Sequence, residues 1–198
     1  MRNMIHKNQT QYPNDITSQM NFIFRTRLIW RDLATWLRSY KVSLYGGVGN
    51  TDELSQRLFK IPVEYGNILR VFFGDQATVQ FINLLTQYIS ILQSLFIAQI
   101  NNDVNAINNL TQQIYQNINS TAALLASINP YWTQGEWVTL LNSFTSMQID
   151  EATTFLAKDY TRNIAIFDSI LSLTNIIGDY FSGGLTNYFN LKSQQQAT

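Results

Sequence analysis

Three carboxylates stand where acids are uncommon, inside stretches of apolar residues at helical spacing. Asp32 follows Ile29 by three residues and precedes Trp36 by four. Glu151 lies four from both Met147 and Phe155, and Asp168 lies four from Ile164 and three from Leu171. Steps of three and four put side chains on one helical face, so each acid borders or enters a face that should be buried. Tyr88, in a stretch without charge, can bring a phenolic oxygen to the same interior as a ligand-binding group. Such oxygen donors would suit a small polar ligand or a hard divalent cation, magnesium, calcium or manganese rather than zinc or copper. Buried charges are ordinarily paired, however. The alternative is that Arg38, Arg162 or backbone groups satisfy these acids, or that they sit at the boundary and reach water.

Other chemistry is excluded by inventory. The chain has no cysteine, which removes thiolate metal sites, iron–sulfur clusters, disulfides and cysteine nucleophiles. His6 is its one histidine and falls in an N-terminal stretch read as a tail. A histidine-based triad and the Glu-x-x-His pairs of di-iron bundles are therefore not available to the folded part. No glycine-rich phosphate loop follows a strand, and Gly46, Gly47 and Gly49 read as a helix stop. No residue is assigned a catalytic role, and a non-enzyme is the expectation.

The charges point the same way. Thirteen basic residues balance thirteen acidic ones, which leaves no electrostatic footprint for nucleic acid. Charged residues make up only 13% of the chain, so amides and hydroxyls carry the solvated surface. That surface is weakly repulsive and permits a homo-oligomer. Arg2 and Lys7 have no apolar run behind them, so no secretory signal is read and a cytoplasmic protein is expected.

The elements that must position these residues are helices. Phe22, Ile29, Leu33, Trp36, Tyr40 and Leu44 mark one face of a helix from Thr17 to Tyr45, followed by short pieces between Thr51 and Gly74. From Gln76 to Asn102 no residue is charged. Gln80, Asn83, Gln87, Ser90 and Ser94 form a polar stripe opposite Phe81, Leu85, Tyr88, Leu92 and Phe96, which argues for an amphipathic bundle helix and against a membrane span. Asp103 can cap the next helix, which stops at Asn129-Pro130, and Thr133 with Glu136 forms a capping box for the fourth. A last helix starts at Tyr160, with Ile164, Phe167, Leu171 and Phe181 inward and Gly183-Gly184 as its end. The expected fold is all-α, an up-and-down bundle of about five long amphipathic helices with a short helical insertion. Residues 17–190 form the one domain, between tails at 1–16 and 191–198 that read as disordered.

Leu28 and Trp30 leading to Trp36 and Arg38, Arg57-Leu58 before Pro62, Asn129-Pro130-Tyr131-Trp132 with Trp137, then Glu151, Asp159-Tyr160 and Asp168 together resemble an uncharacterised family of small bacterial helical-bundle proteins. That family sometimes carries an acetylglutamate kinase label, which these residues do not support. The resemblance runs from about Leu28 to Gly183 and implies a cytoplasmic bundle of unknown activity. Where the family pattern tends to have histidine, this chain has Asp32, Tyr88 and Phe144. The resemblance thus implies either a metal site reduced to the oxygen donors Asp32, Glu151 and Asp168, or a relative that keeps the fold without the chemistry. Two functions stay open: a non-catalytic bundle acting by binding or self-association, and a metal- or small-ligand-binding bundle, an enzyme among its forms, built on the interior acids.

Overall fold

A computed structural model describes residues 12–196, with side-chain surroundings given for residues 20–194. The stretch 1–11, including His6, lies outside the described residues. Six helices follow in order: α1 (Tyr12–Gly46), α2 (Thr51–Leu58), α3 (Ile61–Ile100), α4 (Val104–Ile128), α5 (Gln134–Leu156) and α6 (Tyr160–Gln196). No strand occurs among the described residues. Helix α3 packs on α4, α4 on α5, α5 on α6 and α6 on α1, and α1 in turn meets α3, so the five long helices form a bundle with the short α2 packed against α1 and α3. The all-α bundle read from the periodicity is the fold.

The helix ends are set by local chemistry. Asp103 accepts from Ala106 N at 3.0 Å and Thr133 from Glu136 N at 3.2 Å, each satisfying a free N–H of a first turn. Asn102 and Lys158 take positive φ at the ends of α3 and α5, and the next residue's N–H returns to a carbonyl of the last turn, Ala98 and Thr154 respectively. Asp159 then accepts from Arg162 N at 3.1 Å and starts α6.

Gly74 is the one sharp break inside a helix, with φ 74° and ψ −174°. Tyr65 and Phe81 are sixteen residues apart, about 24 Å along a straight helix. Their ring centroids are 6.1 Å apart, so residues 61–73 fold back along residues 75–100. Gly66 allows this closeness, since a Cβ there would lie 2.5 Å from Ile82. It is a packing glycine inside a helix.

The uncharged stretch behaves as its pattern demands. Gln80, Asn83, Gln87, Ser90 and Ser94 are exposed, while Phe81, Leu85, Tyr88, Leu92 and Phe96 are buried. By length and composition alone, Thr51–Ile100 and Tyr160–Gln194 are long and apolar enough to cross a membrane, but half of the first one's apolar window is committed to the interior of the bundle.

The Gly183-Gly184 pair does not end α6, and the glycines of this helix serve packing instead. Gly178 sits against α1, where a Cβ would lie 2.7 Å from Arg27 Cα, and Thr26 Oγ1 donates to Gly178 O at 3.3 Å. Gly184 lies under the Trp132 indole, with a Cβ position 1.9 Å from Nε1. The helix continues past both to Gln196. The tryptophans serve the core: Trp132 stacks on Phe181 at 5.2 Å and meets Trp137 edge-on at 5.6 Å, and Trp137 lies 6.2 Å from Trp30.

Candidate functional site: a buried ion cluster and an apolar groove

The chemistry of the interior centres on Glu151. Its position on α5 shares the face of Phe144, Gln148 and Ala152, all buried, and Glu151 itself is only 2% exposed. Two cations of α1 reach it: Arg38 Nη1 donates to Oε1 and Lys41 Nζ to Oε2. Lys41 also donates to Gln148 Oε1 at 2.7 Å and lies over the Phe96 ring at 5.2 Å, while the Arg38 guanidinium lies 4.4 Å from the Phe167 ring. From α6, Asn163 Nδ2 donates to the Glu151 backbone oxygen at 2.7 Å. The cluster therefore ties α1, α5 and α6 together against α3. Burial pushes the Lys41 ammonium down to about 8, with the Glu151 carboxylate opposing the fall. One carboxylate facing two cations in a close-packed interior offers a structural tie between helices, with its charges already engaged by each other.

The other two acids stand elsewhere. The buried positions of α1 are Trp30, Leu33, Ala34 and Leu37, and Asp32, two residues from Trp30, points about 200° away from it. Asp32 is exposed, its carboxyl raised by partial burial and held back by nearby Arg57. The buried face of α6 runs Asn163, Ile170, Thr174, Ile177 and Phe181, while Ile164 is 55% exposed. Asp168 is again two residues from a core position and exposed. The convergence of Asp32, Glu151 and Asp168 is thus corrected: among the described residues no group of three or more His, Asp or Glu side chains is placed to hold a metal ion. The cause is angular. Ile164 is exposed and Leu171 only partly buried, so the spacing that selected Asp168 followed the margin of the buried face of α6. Tyr88 is interior as expected, with its hydroxyl 2.8 Å from Thr145 Oγ1 and its ionisation pushed up by burial.

Arg38 was among the partners the sequence offered for these acids; Lys41 was not. The signal was present, because Lys41 lies four residues after buried Leu37 and three before half-buried Leu44. Arg162, offered likewise, is exposed at the start of α6.

The second feature is on the surface. A groove of about 690 Å³ runs between α1 and residues 61–73, lined by Phe22, Leu28, Ile29, Ile68, Val71 and Phe72, with Arg25 and Glu64 at its edges. Met20, Phe24 and Leu28 recur every fourth residue on α1 and are 50%, 50% and 56% exposed, and Val71 across the groove is 80% exposed. Exposed apolar side chains at that spacing form a stripe along one helix, which is how amphipathic helices meet a partner.

No family model matches this chain, and no characterised protein or solved structure shows significant similarity to it.

Proposed function

We propose that this protein is a non-catalytic helical bundle that acts by self-association, and that the groove between α1 and residues 61–73 is its contact surface. The observation that carries this reading is the apolar groove lined by Phe22, Leu28, Ile29, Ile68, Val71 and Phe72, in which Leu28 is 56% and Val71 80% exposed. Isolated apolar residues on a surface are ordinary, whereas a contiguous apolar groove is a feature of interfaces. The chain's charges balance and are few, so two copies meet little repulsion. A two-fold axis pairs each surface patch with itself, so the apolar side chains that line the groove would be covered by the same set from the other copy. The interior acids give less support to a ligand-binding or enzymatic reading, because Glu151 is engaged by Arg38 and Lys41.

Sedimentation velocity tests the proposal. Wild-type protein should sediment as a dimer at about 100 μM, within the micromolar-or-tighter range that standard interfaces reach. The Leu28→Glu, Val71→Glu variant should sediment as a monomer with unchanged helicity. A wild-type monomer at that concentration, or a dimer indifferent to both substitutions, would overturn it.

A further inference from the structure

Between α1, α3, α4 and α5 lies an interior cavity of about 20 Å³, bordered by Trp30, Leu85, Tyr88, Asn117, Thr121 and Phe144 among others. Its walls are mostly apolar, yet two polar atoms of lining residues are buried without a partner, Trp30 Nε1 and Asn117 Oδ1. The two residues are 3% and 5% exposed. An indole N–H can only donate and an amide oxygen can only accept, so the two are complementary but need an intermediary. The orientation of the amide is fixed by its other end. Asn117 Nδ2 donates to Leu84 O at 3.0 Å and to Gln87 Oε1 at 3.1 Å. Turning the amide over would set its oxygen against the Leu84 carbonyl, two acceptors face to face.

Tyr88 supplies a third group. Thr145 Oγ1 donates to Leu141 O at 2.8 Å, so its single hydrogen is spent there. The Tyr88 hydroxyl, 2.8 Å from Thr145 Oγ1, must then be the donor of that pair, which leaves the lone pairs of its own oxygen free to accept. The residues that line the cavity thus carry one free donor and two free acceptors. A polar cavity of roughly 10–15 Å³ on this measure is enough for one water, and buried waters typically make about three hydrogen bonds.

We infer that this cavity is the binding site of a single ordered water that accepts from Trp30 Nε1 and donates to Asn117 Oδ1 and to the Tyr88 hydroxyl oxygen. The water joins α1, α3 and α4, and the chain of donors runs on through Tyr88 and Thr145 to the Leu141 carbonyl of α5. The size excludes anything much larger, so the ligand is water itself and not an organic molecule. The rival arrangement is that the Trp30 N–H faces the Tyr65 ring, which meets it edge-on with centroids 5.1 Å apart.

A high-resolution crystal structure of the full chain should show one density peak within hydrogen-bonding distance of all three atoms. In solution, a nitrogen-edited rotating-frame NOE experiment should give a cross-peak between water and the Trp30 indole proton. Tyr88→Phe removes one of the three bonds and should weaken that cross-peak. Absent density together with an absent cross-peak, or an indole N–H directed at the Tyr65 ring, would overturn the inference. The two wild-type measurements decide it even if the variant fails to fold.

Discussion

Replacing Glu151 by Gln keeps the shape of the side chain and one oxygen that can accept from Arg38, but removes the charge that both cations contact. Stranding a buried charge commonly costs about 3–5 kcal/mol. Lys41 has an escape, because its pKa stands at about 8 and releasing the proton at neutral pH costs only about 1.4 kcal/mol, one pK unit. Arg38 cannot release its proton, but its side chain is 23% exposed and reaches water. The expected loss for Glu151→Gln at about pH 7 is therefore at the low end, roughly 2–3 kcal/mol. Lys41→Met removes the stranded charge in advance, so on that background the same substitution should cost about 1 kcal/mol, one charge-assisted hydrogen bond to Arg38 weakened to a neutral one. The cost should also shrink by about pH 9.5, where Lys41 is already neutral in the wild-type protein. Urea unfolding followed by far-UV circular dichroism, for the four members of this cycle at both pH values, gives the coupling directly. A cost that is the same with and without Lys41, and the same at both pH values, would refute the claim that Glu151 is held there to balance buried cations.

The wild-type protein should gain stability as pH rises from 8 toward 10, because Lys41 is already neutral in the folded chain while the unfolded chain still binds its proton; the gain reaches about 3 kcal/mol at most. Above pH 10 the trend should reverse, since Tyr45, Tyr65 and Tyr88 are pushed up by burial and hold protons that the unfolded chain has lost; a pH series of urea midpoints checks both limbs. Gly178→Val should destabilise by about 2–3 kcal/mol through overpacking, because the new side chain meets the α1 backbone, which cannot swing aside; thermal melts would show a drop of several degrees. Tyr88→Phe should cost about 1 kcal/mol by removing the donor to Thr145, and a variant as stable as wild type would argue that this bond is dispensable.

Most of the fold was legible because its signals are local. The amide stripe of α3, the caps at Asp103 and Thr133 and the stop at Asn129-Pro130 each depend on residues within a turn or two of one another. The rest is not legible because the meaning of a residue there depends on a distant neighbour. Gly184 looks like a breaker in one dimension, but Gly66, Gly178 and Gly184 each make room for another side chain or helix, Ile82, Arg27 and Trp132 respectively. On α6, apolar residues occur all around the helix, with Ile164 and Ile176 exposed and Ile170 and Ile177 buried. Periodicity alone could not choose the inward face there, and Asp168 was carried to the wrong side with it. Lys41 is hard to read for the opposite reason: a lysine is rarely enclosed, and only its i−4 and i+3 neighbours betray that it is.

The contact between α1 and α6 has a bearing on how the chain assembles. The α3–α4, α4–α5 and α5–α6 pairs are each joined by a few residues, so those helices can find one another by short loop closures. The seam formed by Arg27 with Asp179 and Thr26 with Gly178 instead joins positions 152 residues apart. Closing so long a loop costs about 4 kcal/mol of chain entropy beyond the constant term, so the seam is the slow clasp of an otherwise locally wired molecule. The two long terminal helices also lie side by side, and linking the ends while opening the turn at Asn101–Asp103 would convert that clasp into one more local hairpin. The bundle would be the same, but the order in which its joints close would change.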